Sequence, residues 1–345
     1  MNKPIILFGG QSYEHEISIV SAIALYQALT SQCVFVFLSG DRRFYLIDLM
    51  DMKADYFASG RYKKAPELFL ARGGFVRKGF FGYAPIDGDE VVNVSHGADG
   101  EDGKLAALFE FYGVRYVGPR LEASVLSFNK HYTKFLASAA GVKTLPYEII
   151  KRGDKIKTPC PFILKPLRLG SSIGISVVKS EADLPFALDA AFEFDNEAIV
   201  EPFITNVREY NLAGCFAGGE WKLSIIEEPK KREVLDFDQK YLDFTRDKKP
   251  AAAALPVGVA ESMRETFKRV YNHGFAGSLI RCDFFVIDGE VVLNEINPIP
   301  GSLANYLFDN YEEIINALIA SLPERRDITV TYNYIHSIRS AKGKL

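Results

Sequence analysis

The strongest constraint on this chain lies near its end, where two apolar runs, Ser278 to Ile287 and Val291 to Ile296, meet at Asp288-Gly289. An Asp-Gly pair between such runs is a hairpin signal, so the two runs predict adjacent antiparallel strands. Both carry polar residues into an apolar setting: Arg281-Cys282-Asp283 on the first, Asn294-Glu295-Ile296-Asn297-Pro298 on the second. Strand side chains alternate, so Glu295 and Asn297 share a face while Asp283 lies on the neighbouring strand. Two carboxylates on a core sheet repel each other and lose hydration unless a cation joins them. Asp283, Glu295 and Asn297 are hard oxygen donors suited to one or two magnesium ions bridging to phosphate. The plainer alternative, both carboxylates flanking a turn on a solvent face, fits the apolar runs poorly.

A second constellation is Ile163-Leu164-Lys165-Pro166 followed by Gly170-Ser171-Ser172-Ile173-Gly174. A lysine at a strand end reaches phosphate as a point charge, and a glycine-serine loop offers backbone N–H groups and hydroxyls to anionic oxygens. Alone, such a loop is more often an ordinary hairpin turn; beside the acidic cluster it reads as a lid over a triphosphate. It is neither a Walker A motif nor a dinucleotide fingerprint.

The N-terminal third alternates strand and helix. An apolar run at 4–8 ends in Gly9-Gly10, a helical pattern follows from about Glu16 to Thr30, and Val34 to Leu38 reads as a strand. Val91 to Val94, a helix from about Asp102 to Phe111 and Arg115 to Val117 repeat the unit. An open, mostly parallel sheet with flanking helices is predicted for roughly residues 1–120. Ligands bind such sheets at the carboxyl edge, where Gly9 to Glu16 and His96 to Gly103 fall. Glu14, His96 and Glu101 could therefore face one pocket, although each taken singly is as readily a cap or a satisfied loop residue.

Gly118-Pro119 punctuates this unit, and a helix from about Glu122 to Ala140 ends at Gly141. Apolar runs within 161–178, a helix over 181–194 and a strand over 198–203 make a small α+β unit carrying the glycine-serine loop. Strands near 210–216 and 222–226, a polar stretch at 233–250 and a helix over about 259–272 precede the hairpin. A chain of 345 residues exceeds the growth of one core, so several domains around a cleft are expected.

With 48% apolar and 25% charged residues and a net charge of -3, the chain lacks the signature of disorder and the basic footprint of a nucleic-acid or membrane binder. The first residues read neither as a secretory signal nor as a spanning helix. Cys33, Cys160, Cys215 and Cys282 are scattered, which argues against a zinc site or a disulfide framework and for a cytoplasmic protein with free thiols.

Taken together, LFGGQSYEHEIS, HGADGEDG, ILKPLRLGSSIGISVV, DFDQKYLD and RCDFFVIDGEVVLNEINPIPG resemble the D-alanine:D-alanine ligase family, in the family's order over almost the whole chain. The resemblance implies a three-domain ATP-grasp architecture: an N-terminal α/β domain (1–121), a central domain with the lid loop (122–204), and a C-terminal domain with the metal site and a closing loop at 233–250 (205–345). ATP would lie between the latter two, with Lys130, Lys165 and Lys240 near its phosphates. Glu201 and the backbone of Phe203 and Ile204 would meet adenine, Glu209 the ribose, and Ser172 and Asn294 would complete the ATP site. Asp283, Glu295 and Asn297 match positions for two Mg2+, with Mn2+ as an alternative.

The implied reaction has two steps: the carboxylate of a first D-alanine takes the γ-phosphoryl group of ATP, and the amine of a second displaces phosphate. Glu14 matches the residue holding the first ammonium, Arg281 and the backbone of Gly301 the oxyanion site, and Ser171 and Tyr241 a bonded group with Glu14 that closes over the site. His96 and Glu101 match substrate-binding positions. Ser302 and Leu303 would border the second substrate's carboxylate, but Ser302-Leu303-Ala304-Asn305-Tyr306 departs from the Ser/Thr-rich stretch of many relatives, which leaves strictness there open. The family also implies a homodimer. Rival readings are another ATP-grasp ligase, including a D-alanine:D-lactate enzyme, against which Tyr241 argues, and a nucleotide-binding regulator without turnover, which should lack one of these groups. A dinucleotide oxidoreductase would need Gly-x-Gly-x-x-Gly after the first strand.

Overall fold

A computed structural model describes residues 3–29, 32–229, 250–324 and 328–342. Three sheets are built from consecutive stretches of chain. In the first, Ile5–Gly9 runs parallel to both Val34–Leu38 and Val91–Asn93, and Val91–Asn93 parallel to Tyr116–Val117. The helix His15–Ala28 supplies the first crossover, as parallel pairing requires. The parallel strands expected from the sequence are present, but the sheet as a whole is mixed rather than mostly parallel, because Phe44–Ile47, Glu67–Ala71, Gly74–Gly79 and Gly82–Pro85 extend it by antiparallel pairing, which needs only short connections. Gly82–Pro85 is exposed along its whole length, so no inward and outward alternation marks it in the sequence.

The second sheet is antiparallel, with Phe162–Pro166 between Ser176–Val178 and Glu197–Pro202, and Glu148–Lys151 at the far edge. The third pairs Arg208–Ala217 with Glu220–Glu227 on one side and with Ile280–Ile287 on the other, and Glu290–Asn297 closes it. One apolar cluster runs from Ile6, Phe8 and Val92 to Tyr210, Cys282 and Leu303, so the first and third sheets share a core. The second sheet packs instead around its own cluster of Ile150, Phe162, Leu164, Val178 and Ala187.

The single helix expected over 122–140 is two helices, Leu121–Phe128 and Lys130–Ala139. Asn129 between them is extended (φ -89, ψ 113), and its side chain accepts the N–H groups of His131 and Tyr132, an N-cap that restarts the chain at a new angle. The restart makes Lys130 the first residue of the second helix. Among the described residues no helix is long and apolar enough to cross a membrane.

Candidate active site

The hairpin strands carry the acidic wall of a cavity of about 250 Å³. Counting back from Asp288-Gly289 would pair Asp283 with Asn294, but a bulge intervenes: Phe284 pairs with Leu293, while Asp283 pairs with Glu295 and Arg281 with Asn297. Because a one-residue slip flips side chains to the other face, this bulge is what brings Glu295 and Asn297 to the side of Asp283. Asn211 pairs with Asp283 from the next strand and donates to Glu227 at 3.2 Å, extending the polar row across the sheet.

Asp283 accepts two bonds from Arg281, at 2.7 and 2.9 Å, and one from the amide of Asn297 at 3.1 Å. Arg281 is held charged despite its burial by the carboxylate beside it. Among the described residues no hydrogen bond or ion pair closes on Glu295, and Asn294 Oδ1 is buried without a partner although Asn294 Nδ2 reaches Glu209 at 3.4 Å. These residues fit a divalent cation: two carboxylates, one lacking a partner, and Asn297, whose amide nitrogen is spent on Asp283 so that its oxygen is the atom left to ligate. No group of three or more His, Cys, Asp or Glu side chains gathers among the described residues, so further ligands would have to come from phosphate or water.

The opposite wall is basic. Lys165 and Glu201 sit on adjacent strands of the second sheet, where Lys165 donates to Glu201 at 2.8 Å. Lys134, which the sequence reading did not single out, donates to the other oxygen of Glu201, and all three side chains are buried. Burial alone would raise the Glu201 carboxyl, but the two ammonium groups bring it down to about 2. Lys165 is raised correspondingly: burial works against its charge and Glu201 outweighs it. Lys130, one turn before Lys134, bonds the Leu169 carbonyl at the start of the glycine-serine loop, and burial lowers its pKa.

Glu14 forms the N-terminal end of the cavity, 5% exposed. Two glycine loops close on it: a Cβ at Gly170 would come within 2.9 Å of Glu14 Oε1, and one at Gly97 (φ +70) within 2.6 Å of Oε2. A side chain at either position would displace the Glu14 carboxylate, and at Gly97 it would also strain the left-handed backbone. Ser171, in the left-handed region (φ 54), donates to Glu14 Oε1, while Oε2 is buried without a partner among the described residues. Burial, then repulsion from Glu101, raises the Glu14 pKa, with the Ser171 bond opposing. His96 Nδ1 lies 3.5 Å from Glu101 Oε1. Burial drives His96 down to about 4 and Glu101 up to about 8. Asp99, also unmarked in the sequence reading, ties the two loops of this edge together by accepting from the Gln11 N–H and from Arg42.

Glu14, His96, Glu101, Lys130, Lys165, Ser171, Glu201, Glu209, Arg281, Asp283, Asn294, Glu295, Asn297 and Gly301 thus line one cavity. Five other candidates do not. Phe203 and Ile204 follow the strand beyond it, and the Phe203 N–H is engaged by the Pro161 carbonyl at 3.0 Å, which leaves only other backbone atoms of this pair for a ligand. Ser302 and Leu303 are buried behind Gly301 and outside the lining, and Ser172 turns with Ser171 (φ 60) without joining the lining. Lys240, Tyr241 and the stretch 233–249 lie outside the described residues.

Two antiparallel sheets that oppose a basic and an acidic wall across one cleft are the ATP-grasp arrangement, and the chain is a ligase of that class. The family described as D-ala D-ala ligase N-terminus matches residues 3–119, and the one described as D-ala D-ala ligase C-terminus matches residues 136–313. The chain belongs to the D-alanine–D-alanine ligase family. The D-alanine–D-alanine ligase of Campylobacter concisus is 55% identical over 98% of this chain and 98% of its own. That of a Sulfurovum species is 55% identical over 98% and 99%. The crystal structure of the Helicobacter pylori D-alanine–D-alanine ligase superposes with a TM-score of 0.85 at 46% identity, over 94% of this chain and all of that one.

Proposed function

We infer that this chain joins two D-alanines to D-alanyl-D-alanine at the expense of ATP, releasing ADP and phosphate. The observation that carries this reading is the buried Oε2 of Glu14, without a partner among the described residues, at one end of a cavity whose other end holds lysines opposite paired carboxylates. An ammonium docks on the first and a triphosphate on the second, which sets a small amino acid's carboxylate between them. The three domains divide as 1–121, 122–204 and 205–345, with ATP between the last two.

In the first step the carboxylate oxygen of D-alanine bonds to the γ-phosphorus as the bond to ADP breaks, giving D-alanyl phosphate. Lys130 and Lys165 supply fixed positive charge to the transferring group, so the step is chiefly positioning and electrostatics. Asp283, Glu295 and Asn297 would hold Mg2+, which neutralises phosphate charge when bound. In the second step the amine of the other D-alanine attacks the acyl carbon and phosphate leaves with the bonding pair. The Arg281 guanidinium, held in place by Asp283, and the Gly301 N–H stabilise the oxyanion that develops. Glu209 serves the ribose and Glu201 the adenine amino group, with Lys134 and Lys165 keeping its carboxylate ionised. His96 and Glu101 shape the amino-acid end, and burial keeps His96 neutral there.

The product is a peptidoglycan precursor dipeptide, made by a cytoplasmic homodimer. The test is phosphate release from Mg-ATP with D-alanine, with L-alanine, or with D-alanine plus D-lactate, the products identified by mass. D-alanine-dependent release with the dipeptide as product is expected; ATP binding with no stimulation by D-alanine would overturn the substrate.

A further inference from the structure

Ser21 lies two turns into the helix His15–Ala28, is fully buried, and has no part in the reading above. With Glu14 and Ser18 it occupies positions i, i+4 and i+7, one face of the helix. That face grips two other parts of the molecule. Ser18 Oγ accepts the backbone N–H of His96 at 2.8 Å. Ser21 Oγ lies 2.8 Å from His96 Nε2 and at the same time accepts the N–H of Ser302 at 3.0 Å. One hydroxyl oxygen therefore joins the helix, the imidazole and the turn after Gly301.

The turn needs such a tie. Ser302, Leu303 and Ala304 stand consecutively in the left-handed region, at φ 48, 46 and 53, with no glycine among them. Non-glycine residues hold that conformation only where their surroundings over-determine it. A hydroxyl both donates and accepts, so Ser21 complements His96 Nε2 whichever ring nitrogen carries the proton, and it does so without releasing the Ser302 N–H. Alanine would take this partner from both buried groups.

We propose that Ser21 is a positioning residue that fixes the turn 301–304 against His96, and thereby the spacing between the amino-acid end of the cavity and the Gly301 N–H. The proposal rests on the reading of this cavity as a D-alanine site. Its test compares wild type, Ser21→Ala and the control Ser124→Ala, which removes another fully buried helix serine whose hydroxyl bonds, among the described residues, only the Pro119 carbonyl at 3.3 Å. Two readouts are taken: the separate KM values for D-alanine and ATP, and amide hydrogen exchange over 301–307.

Ser21→Ala is expected to raise the KM for D-alanine about tenfold while that for ATP stays within about twofold, and to speed exchange over 301–307. Ser124→Ala should do neither. If the D-alanine KM is unchanged, or if it rises in step with that for ATP, the proposal is overturned. Should wild type show no D-alanine-dependent phosphate release, the assigned function falls, and Ser21 is judged on exchange alone: unaltered protection over 301–307 overturns it, faster exchange supports the tie. If the alanine variant is insoluble, Ser21→Cys, with similar volume and a weaker hydrogen-bonding group, is read by the same criteria.

Discussion

The hydroxyl of Ser171 donates to Glu14 Oε1 at 2.5 Å, joining a loop of the middle sheet to the start of the first helix across 157 positions of sequence. Ser171 also opposes the rise in the Glu14 pKa that burial imposes. Ser171→Ala should therefore loosen the glycine-serine loop, and Glu14→Gln should remove the charge proposed to pair with the substrate ammonium. For Glu14→Gln, kcat/KM for D-alanine is expected to fall roughly a hundredfold, a charged hydrogen bond being worth up to about 3 kcal/mol. Steady-state kinetics check this; a variant within about threefold of wild type would contradict the role assigned to Glu14.

Thermal stability should depend on pH through Glu101 and His96. The Glu101 pKa is raised from 4.5 to about 8, so the folded state binds its proton more tightly than the unfolded state does. Its stabilising effect is complete below pH 4.5 and is lost as pH rises towards 8. His96 is lowered from 6.5 to about 4, so its effect is complete above pH 6.5 and is lost as pH falls towards 4. Between 4.5 and 6.5 the two oppose each other; above 6.5 Glu101 is the one of this pair that still acts. Glu101→Gln should flatten the decline in Tm between pH 6.5 and 8, as measured by calorimetry across that range.

Glu201 between Lys134 and Lys165 calls for a double-mutant cycle. Removing one partner of a buried charge leaves the rest uncompensated, and such losses run to about 3–5 kcal/mol. Lys134→Met should destabilise by an amount near the lower figure, since Lys165 remains. Adding Glu201→Gln should cost less in urea unfolding on the Lys134→Met background than in the otherwise unchanged protein, because it then strands one buried ammonium group, that of Lys165, instead of two. Additive losses in the double variant would show that the ion pair carries no coupling.

These relationships were unevenly legible in the sequence. The hairpin, the glycine loops and the parallel strands could be read because each has a local signature: Asp288-Gly289, Gly9-Gly10, and apolar runs of strand length. The bulge at Asn294 could not, since an extra residue changes the pairing without changing the apolar pattern; hairpin counting alone would set Asn294 opposite Asp283. Lys134, Ser21 and Asp99 were missed for a different reason. Their partners are 67, 75 and 57 positions away, to Glu201, His96 and Arg42, and only the folded topology brings them together. The break at Asn129 was hidden because apolar spacing continues through it, although an Asn before a new helical run is a capping signal that could have been weighed.

Chelation should abolish turnover if Asp283, Glu295 and Asn297 hold a divalent cation. With EDTA in excess, D-alanine-dependent phosphate release is expected to stop, and Mg2+ or Mn2+ to restore it. Glu295→Gln should raise the Mg2+ concentration needed for half-maximal rate by at least about tenfold, an ionised ligand having been replaced by a neutral amide. A Mg2+ requirement identical to wild type would place the cation elsewhere. Arg281 makes the complementary case: without it Asp283 loses two hydrogen bonds, so Arg281→Met should impair catalysis more than Mg2+ affinity.

Asn129 offers a way to move Lys130, proposed above to serve the phosphates, without touching it. Its side chain accepts from the N–H groups of His131 and Tyr132, and Lys130 follows as the first residue of the new helix. From there the Lys130 ammonium reaches the Leu169 carbonyl, so the cap fixes where that charge sits relative to the glycine-serine loop. Asn129→Ala should cost about 1–2 kcal/mol of stability, the usual loss for an N-cap. It should also raise the KM for ATP several-fold while leaving that for D-alanine nearly unchanged. Asn129→Asp keeps an acceptor and a favourable charge at the helix start, so it should restore both stability and KM. If both variants bind ATP as wild type does, Lys130 is placed by its bond to Leu169 and the cap serves the fold alone.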